Sequence, residues 1–220
     1  LIDKGVLFEK SSITDTEKLR KNLRDIDFVF HQAAFVSVPK SIVNPQDCNE
    51  INVNGTLNVL EQSLKAEVKK VVFAASSSAY GETEVLPKVE TMKPQAMSPY
   101  GVSKLTAENY CRVYNLIYGL ATTSLRYFNV YGPKQDPNSE YAAVIPKFIE
   151  LLNQNKSPII YGDGLQSRDF TFIQDVVQAN LNAAISTKSN GKVINVGTGN
   201  STTIKDLARI IARVLGSNLE

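Results

Sequence analysis

The chain has 220 residues, 43% of them hydrophobic, enough to bury the core of one domain or of one domain plus a small lobe. Lys+Arg 24 against Asp+Glu 22 leaves a formal charge of +2 with both signs interspersed, which argues against a nucleic-acid surface. There is no apolar run near the roughly 20 residues that span a bilayer and no signal-peptide core over residues 1–5; with only Cys48 and Cys111, a cytoplasmic protein without a disulfide framework is expected.

A single histidine, His31, leaves a metal site or a Ser-His-Asp triad little to work with, so acid–base chemistry falls to Tyr, Lys, Ser or carboxylates. In chain order, short apolar runs alternate with longer amphipathic stretches, the pattern of βαβ units on a parallel sheet. Val6-Leu7-Phe8 and Ile26–His31 read as strands. Asn44-Pro45 offers an N-cap and a first-turn proline for a helix reaching about Ala66. Lys70–Ala75 is a strand whose run Val71-Val72-Phe73-Ala74-Ala75 suits burial on both faces. Ser98-Pro99 opens a helix to about Tyr118 that Gly119 closes. Thr123–Val130, Pro158–Tyr161 and Lys192–Val196 read as further strands, with loops over Pro133–Glu140 and Gly162–Arg168. A last helix, Ile204–Leu215, sets Ile204, Leu207, Ala208, Ile211 and Leu215 at helical spacing and stops at Gly216.

The fold class is therefore α/β, a Rossmann-like doubly wound parallel sheet. Such a sheet opens with a strand, a G-x-G-x-x-G turn and a helix. The nearest match, Gly197-Thr198-Gly199, lacks the third glycine, so the sheet is expected to be incomplete at its N-terminal end. Strand 26–31 then presents an unpaired edge, with residues 1–25 either re-paired to it or poorly packed.

Ser76-Ser77-Ser78 follows the buried strand, at the carboxyl edge where open α/β sheets bind ligands. Tyr100 and Lys104 stand at i and i+4 on one helix face. An ammonium there is expected to lower the tyrosine pKa from about 10, so that Tyr100 takes a proton from a hydroxyl held by a serine. Among nine tyrosines a lysine at +4 arises by chance, and serines after a strand serve as turn residues. It is their joint placement that points to catalysis.

Ser76–Gly81 (Ser-Ser-Ser-Ala-Tyr-Gly), Ser98–Lys104 (Ser-Pro-Tyr-Gly-Val-Ser-Lys), Leu125–Pro133 (Leu-Arg-Tyr-Phe-Asn-Val-Tyr-Gly-Pro) and Ser167–Asp175 (Ser-Arg-Asp-Phe-Thr-Phe-Ile-Gln-Asp) occur in order. Together they resemble the NAD-dependent epimerase/dehydratase family over essentially the whole chain. Within that family, His31-Gln32-Ala33-Ala34 with Ser37-Val38-Pro39 most resembles the bacterial UDP-N-acetylglucosamine 4-epimerases of surface-polysaccharide synthesis. The resemblance implies Tyr100 as base, Lys104 as its activator and a nicotinamide-ribose ligand, and Ser76 as the hydroxyl holder, with Ser77 the adjacent candidate. Ala33, Ala34, Asn52 and Tyr127 would line NAD. Ser12-Ile13 stands where the family has an adenine-contacting Asp-Ile. Ser37 and Asn129 would meet the sugar nucleotide, and Arg168 its pyrophosphate. Tyr161 is either a uracil-stacking ring or a plain strand-end aromatic, while His31 reads as a packed strand-end residue.

The implied reaction is oxidation at sugar C4 by hydride transfer to NAD, rotation of the keto sugar, and hydride return to the other face. Dehydratases and decarboxylases of the family place a carboxylate after the hydroxyl residue. Here Ser77, Ser78 and Ala79 follow Ser76, which favours epimerisation. Residues 1–132 are expected as a partial NAD-binding Rossmann domain and 133–220 mainly as a small substrate-binding lobe, with about 170–196 returning to the first. The alternatives are a non-catalytic sugar-nucleotide-binding fragment, or a dehydratase or decarboxylase; the choice between UDP-glucose and UDP-N-acetylglucosamine stays open. A homodimer through helices 45–66 and 99–118 is also implied, with Val113, Leu116 and Ile117 as candidate contacts.

Overall fold

The computed structural model describes residues 5–83, 85–136 and 144–217. The chain runs through α1 (Thr16–Asn22), β1 (Phe28–His31), α2 (Val38–Val43), α3 (Pro45–Asn49), a π-helical segment (Glu50–Asn54), α4 (Gly55–Lys65) and β2 (Lys70–Ser76). It continues through a 3-10 turn (Ser77–Tyr80), α5 (Pro99–Tyr118), β3 (Thr122–Tyr127), β4 (Asn129–Tyr131) and α6 (Val144–Asn153). Then come β5 (Ser167–Arg168), β6 (Phe170–Phe172), α7 (Ile173–Ile185), β7 (Lys192–Val196), β8 (Thr202–Thr203) and α8 (Ile204–Val214).

The main sheet has the order β1-β2-β3-β7, and every pairing in it is parallel. Because β2 is apolar at successive positions, it feeds both faces. Val71, Phe73 and Ala75 pack with Leu60 of α4 and Ala107, Cys111 and Tyr114 of α5. Val72 packs on the other side with Leu125, Val196 and, from α7, Val176 and Ala183. Phe73, 1% exposed, contributes about 2–3 kcal/mol by its burial alone. A separate cluster joins Phe148 and Leu152 of α6 to Ile204, Leu207 and Ile211 of α8, beside the antiparallel pair β5–β8.

Five sequence expectations change. Val6-Leu7-Phe8 forms no strand; Leu7 is 98% exposed and Phe8 77%, because a lone extended segment has no neighbour to pair its backbone groups. Among the described residues nothing is added to the free edge of β1, and α1 lies against α4 instead. Pro158–Tyr161 is not a strand, since Pro158 offers no N–H and Gly162 follows in the left-handed region. The helix after Asn44 is broken into α3, the π segment and α4, and Asn44 stands at its start without a side-chain cap, leaving Pro45 to set the first turn. Thr123–Val130 divides at Phe128, whose N–H donates to Val196 while Asn129–Tyr131 leaves to pair with β6. Of the loop expected over Pro133–Glu140, residues 137–140 lie outside the described residues.

Candidate active site at the carboxyl edge

The register pairs Ser76 at the end of β2 with Tyr127 at the end of β3, and Tyr127 with Val196 of β7, so three strands end level. Ser98 caps α5 by accepting from the Gly101 N–H at 3.0 Å, which starts the helix one residue before Tyr100. The Tyr100 N–H donates to Ser41 Oγ at 3.1 Å, and Ser41 Oγ donates to the Val38 carbonyl at 2.7 Å, pinning α2 to the same turn. At the far end of β2, Ser76 Oγ accepts from the Ser78 N–H at 3.2 Å and from the Ser78 hydroxyl at 2.8 Å.

Ser76 and Tyr100 meet. Burial pushes the Tyr100 phenol above the usual tyrosine range, the hydrogen bond with Ser76 pulls it back, and the Cys48 thiol pushes it up again. Lys104, expected to activate this tyrosine, stands one turn further along the same helix. Its ammonium is directed into the helix–sheet contact, donating to the Ala74 carbonyl at 2.8 Å and lying 5.0 Å from the Phe73 ring centre. There burial brings the Lys104 pKa down to about 8. Ser77 is half-buried in the 3-10 turn next to this pair.

Ala33 and Ala34 lie between β1 and α2, in a segment clamped by Asn52. The Asn52 side chain accepts from the Phe35 N–H at 2.7 Å and donates to the Phe35 carbonyl at 3.1 Å and to Ser103 Oγ at 2.9 Å. Asn52 is thus a buried brace between that segment and α5. Ser37, also buried, caps α2 through the Lys40 N–H. The Tyr127 hydroxyl is shared with Gln32 beyond β1 and Asn180 of α7, which ties β3 to the end of β1 across the end of β2. Ser12 bonds locally to Thr14, while Ile13 packs on Gly55, where a Cβ would stand 2.6 Å from Ile13 Cδ1. His31 is 3% exposed, bonded through Nε2 to Thr56 Oγ1 at 2.9 Å and tilted on Phe73; burial first, then the Lys104 charge, lowers its pKa to about 3.

Asn129 is fixed by two bonds to the Asp169 carbonyl, from its N–H at 3.0 Å and its side-chain amide at 3.1 Å. Arg168 is exposed and donates to the Ser167 carbonyl. Tyr161 is 82% exposed. Asp169, which sequence reading passed over, accepts from Thr198 N–H, Thr198 Oγ1 and Gly199 N–H at 2.8–3.0 Å. A cavity of about 600 Å³ lined by Tyr131, Pro133, Ile145, Ile149 and Phe172 lies apart from Ser76 and Tyr100.

The donor set at the carboxyl edge fits the nicotinamide half of a dinucleotide. A phenol, a serine hydroxyl and a buried ammonium sit together there, beside the small side chains of Ala33 and Ala34. The pyrophosphate half finds no cradle at Gly197-Thr198-Gly199, because the N–H groups of Thr198 and Gly199 are already taken by an internal carboxylate. Among the described residues no helix is long and apolar enough to cross a membrane, and no cluster of His, Cys, Asp and Glu suits a metal ion.

The sequence profile of the NAD dependent epimerase/dehydratase family matches residues 2–197. A putative UDP-glucose 4-epimerase of Methanocaldococcus jannaschii is 44% identical over 211 residues, 95% of this chain and 68% of that protein. A UDP-N-acetyl-alpha-D-glucosaminuronate decarboxylase of Bacillus cytotoxicus is 35% identical over 94% of this chain and 65% of its own length. Among solved structures, the UDP-N-acetylglucosamine 4-epimerase of Methanobrevibacter ruminantium, in complex with UDP-N-acetylmuramic acid, superposes with a TM-score of 0.92 at 44% identity over 96% of this chain and 67% of that one. The UDP-glucose 4-epimerase of Thermotoga maritima with UDP-glucose gives 0.93 at 38% identity, covering 99% and 71%. The chain spans about two thirds of the length of these relatives.

Proposed function

The chain belongs to the NAD dependent epimerase/dehydratase family, and from that premise we propose that it carries the catalytic face of a 4-epimerase acting on UDP-glucose or UDP-N-acetylglucosamine. One arrangement carries this reading: Ser76 stands beside Tyr100 at the sheet edge, near enough to pull the phenol's pKa down, with no carboxylate in Ser77-Ser78-Ala79. Tyr100 takes the proton of the sugar 4-hydroxyl, and Ser76 holds that oxygen in line. Lys104, anchored on the Ala74 carbonyl, keeps a positive charge under the site and orients the cofactor ribose. Bound NAD supplies the hydride acceptor and donor. Asn129 and Arg168 hold the nucleotide, with Arg168 free to swing its fork onto a pyrophosphate.

Turnover of both UDP-sugars with added NAD, followed by NMR of the product sugar, tests the reading. Tyr100→Phe should abolish turnover while UDP-sugar affinity stays within about twofold of the parent chain. Undiminished turnover in Tyr100→Phe would sink it. A second reading, a sugar-nucleotide-binding piece that does not turn over, is favoured by the Asp169 carboxylate occupying the Gly197-Thr198-Gly199 turn. Mass spectrometry of small molecules released on denaturation separates the two, since co-purified NAD supports the enzyme.

The proposal includes a homodimer. Leu116 and Ile117 are 73% and 66% exposed on α5, and Val113 is half-buried beside them. Leu116→Glu should convert a dimer to a monomer in sedimentation velocity; a parent chain that is monomeric already refutes this part.

A further inference from the structure

Arg126 of β3 and Glu108 of α5 form a buried ion pair, with side chains 3% and 6% exposed. Nε donates to Oε2 at 2.8 Å and Nη2 to Oε1 at 2.7 Å, a closed fork. The guanidinium carbon lies 4.5 Å from the centre of the Tyr80 ring. Nη1 is buried and has no partner among the described residues. As a source of stability this arrangement is inefficient, because apolar side chains of similar volume often serve as well or better. What it fixes is position.

Glu108 stands one turn beyond Lys104 and two beyond Tyr100 on the same helix. Tyr80 ends the 3-10 turn that begins directly after Ser76, and its hydroxyl donates to Asn195 Oδ1 of β7 at 2.7 Å. One guanidinium on β3 therefore grips the helix that carries Tyr100 and the turn that follows Ser76. A rotation of α5 by roughly 20° would move side-chain tips about 5–6 Å from its axis by about 2 Å. Misplacement of about 1 Å can cost about 100-fold in rate.

We propose that Arg126 is a positioning residue: its fork on Glu108 sets the rotation of α5, its stacking on Tyr80 sets the turn after Ser76, and together they hold Ser76 against Tyr100. This rests on the reading of Ser76 and Tyr100 as the reacting pair.

The test is the double variant Arg126→Met with Glu108→Leu, which removes both charges and strands neither. The thermal midpoint should stay within a few degrees of the parent chain. The Tyr100 Cζ resonance of tyrosine-labelled protein, identified by its loss in Tyr100→Phe, should titrate at higher pH as the Ser76 bond loosens. In the NAD-loaded protein kcat should fall about tenfold or more with KM for the UDP-sugar within about twofold. A folded double variant with unchanged Tyr100 titration and unchanged kcat overturns the proposal. Arg126→Lys, which keeps the charge but loses the fork, gives the same readouts where the double variant does not fold. Normal turnover in Tyr100→Phe would instead remove the catalytic reading, and the titration alone would then decide whether Arg126 positions Tyr100.

Discussion

The Ser76 hydroxyl stands near enough to the Tyr100 phenol to oppose the upward push that burial gives its pKa. A lowering influence on the phenol thus comes from the serine that ends β2. Ser76→Ala should therefore do two things at once. It should move the Tyr100 titration to higher pH and lower kcat by about 100-fold, the usual scale of a positioned acid–base group. Ser77→Ala should leave both near the parent values, and equal losses in the two variants would show that the wrong serine has been assigned.

Lys104 supplies a pH signature of its own. Its pKa is about 8 in the folded chain against about 10.4 when unfolded, so between these values the unfolded chain binds more protons. Stability should then rise with pH from about 8 to about 10.4, by up to about 3 kcal/mol, with the full penalty present below pH 8. Cys111, raised to about 12 by burial, acts oppositely above its unfolded pKa, because there the folded chain keeps a proton the unfolded one loses. Subtracting the profile of Lys104→Met isolates the lysine. Urea midpoints of the variant that exceed the parent's most at pH 7, with the gap closing by pH 10, are the expected outcome; a constant gap refutes the assignment.

The β2–α5–β3 part of the fold was legible because its signals are local. Apolar continuity in 71–75, the Ser98 cap, Gly119 and the i, i+4 spacing of Tyr100 and Lys104 all act within a few residues. What sequence could not show is non-local. Phe8 gives no strand because strand formation needs a partner, while Pro158–Tyr161 is cut short by the missing N–H of Pro158 and the left-handed Gly162. That Asn52, which the resemblance sets beside the cofactor, also braces Phe35 against Ser103 rests on contacts 17 and 51 residues away. A second overlooked hint, beside Asp169, was Arg126, a charge inside a buried strand, which calls for a buried partner such as Glu108, two helical turns beyond Tyr100.

Asp169 offers a prediction on the substrate side. Its carboxylate holds the Thr198 and Gly199 N–H groups, and its carbonyl holds Asn129. Asp169→Ala removes the acceptor for that turn, at a loss of about 1.5–3 kcal/mol for bonds to a charged group. The UDP-sugar KM should rise severalfold while kcat stays within about twofold, because the turn and Asn129 lie on the binding side. Gly197→Ala should act in the same direction, since a Cβ there would stand 2.8 Å from Asp169 Oδ2. A fall in kcat at unchanged KM would place this cluster with the chemistry instead.

His31 should make the chain acid-sensitive well above the carboxylate range. Its ring is neutral in the folded state, with a pKa of about 3 set by burial and then by the Lys104 charge, against about 6.5 when unfolded. Between these values the unfolded chain binds the extra proton, so the stability is fully present above pH 6.5 and is lost as pH falls towards 3. At pH 5 the loss should be about 2 kcal/mol, since each unit below 6.5 is worth about 1.4 kcal/mol. His31→Leu keeps an apolar side chain against Phe73. Thr56, losing the 2.9 Å bond to the ring, still donates to the Asn52 carbonyl at 2.6 Å, so the substitution strands no donor. Urea midpoints at pH 7.5 and 5.0 decide the matter. The parent should weaken over this interval by about 2 kcal/mol more than His31→Leu. An equal fall in both would mean that the acid sensitivity belongs to carboxylates elsewhere and that the ring accepts its proton in place.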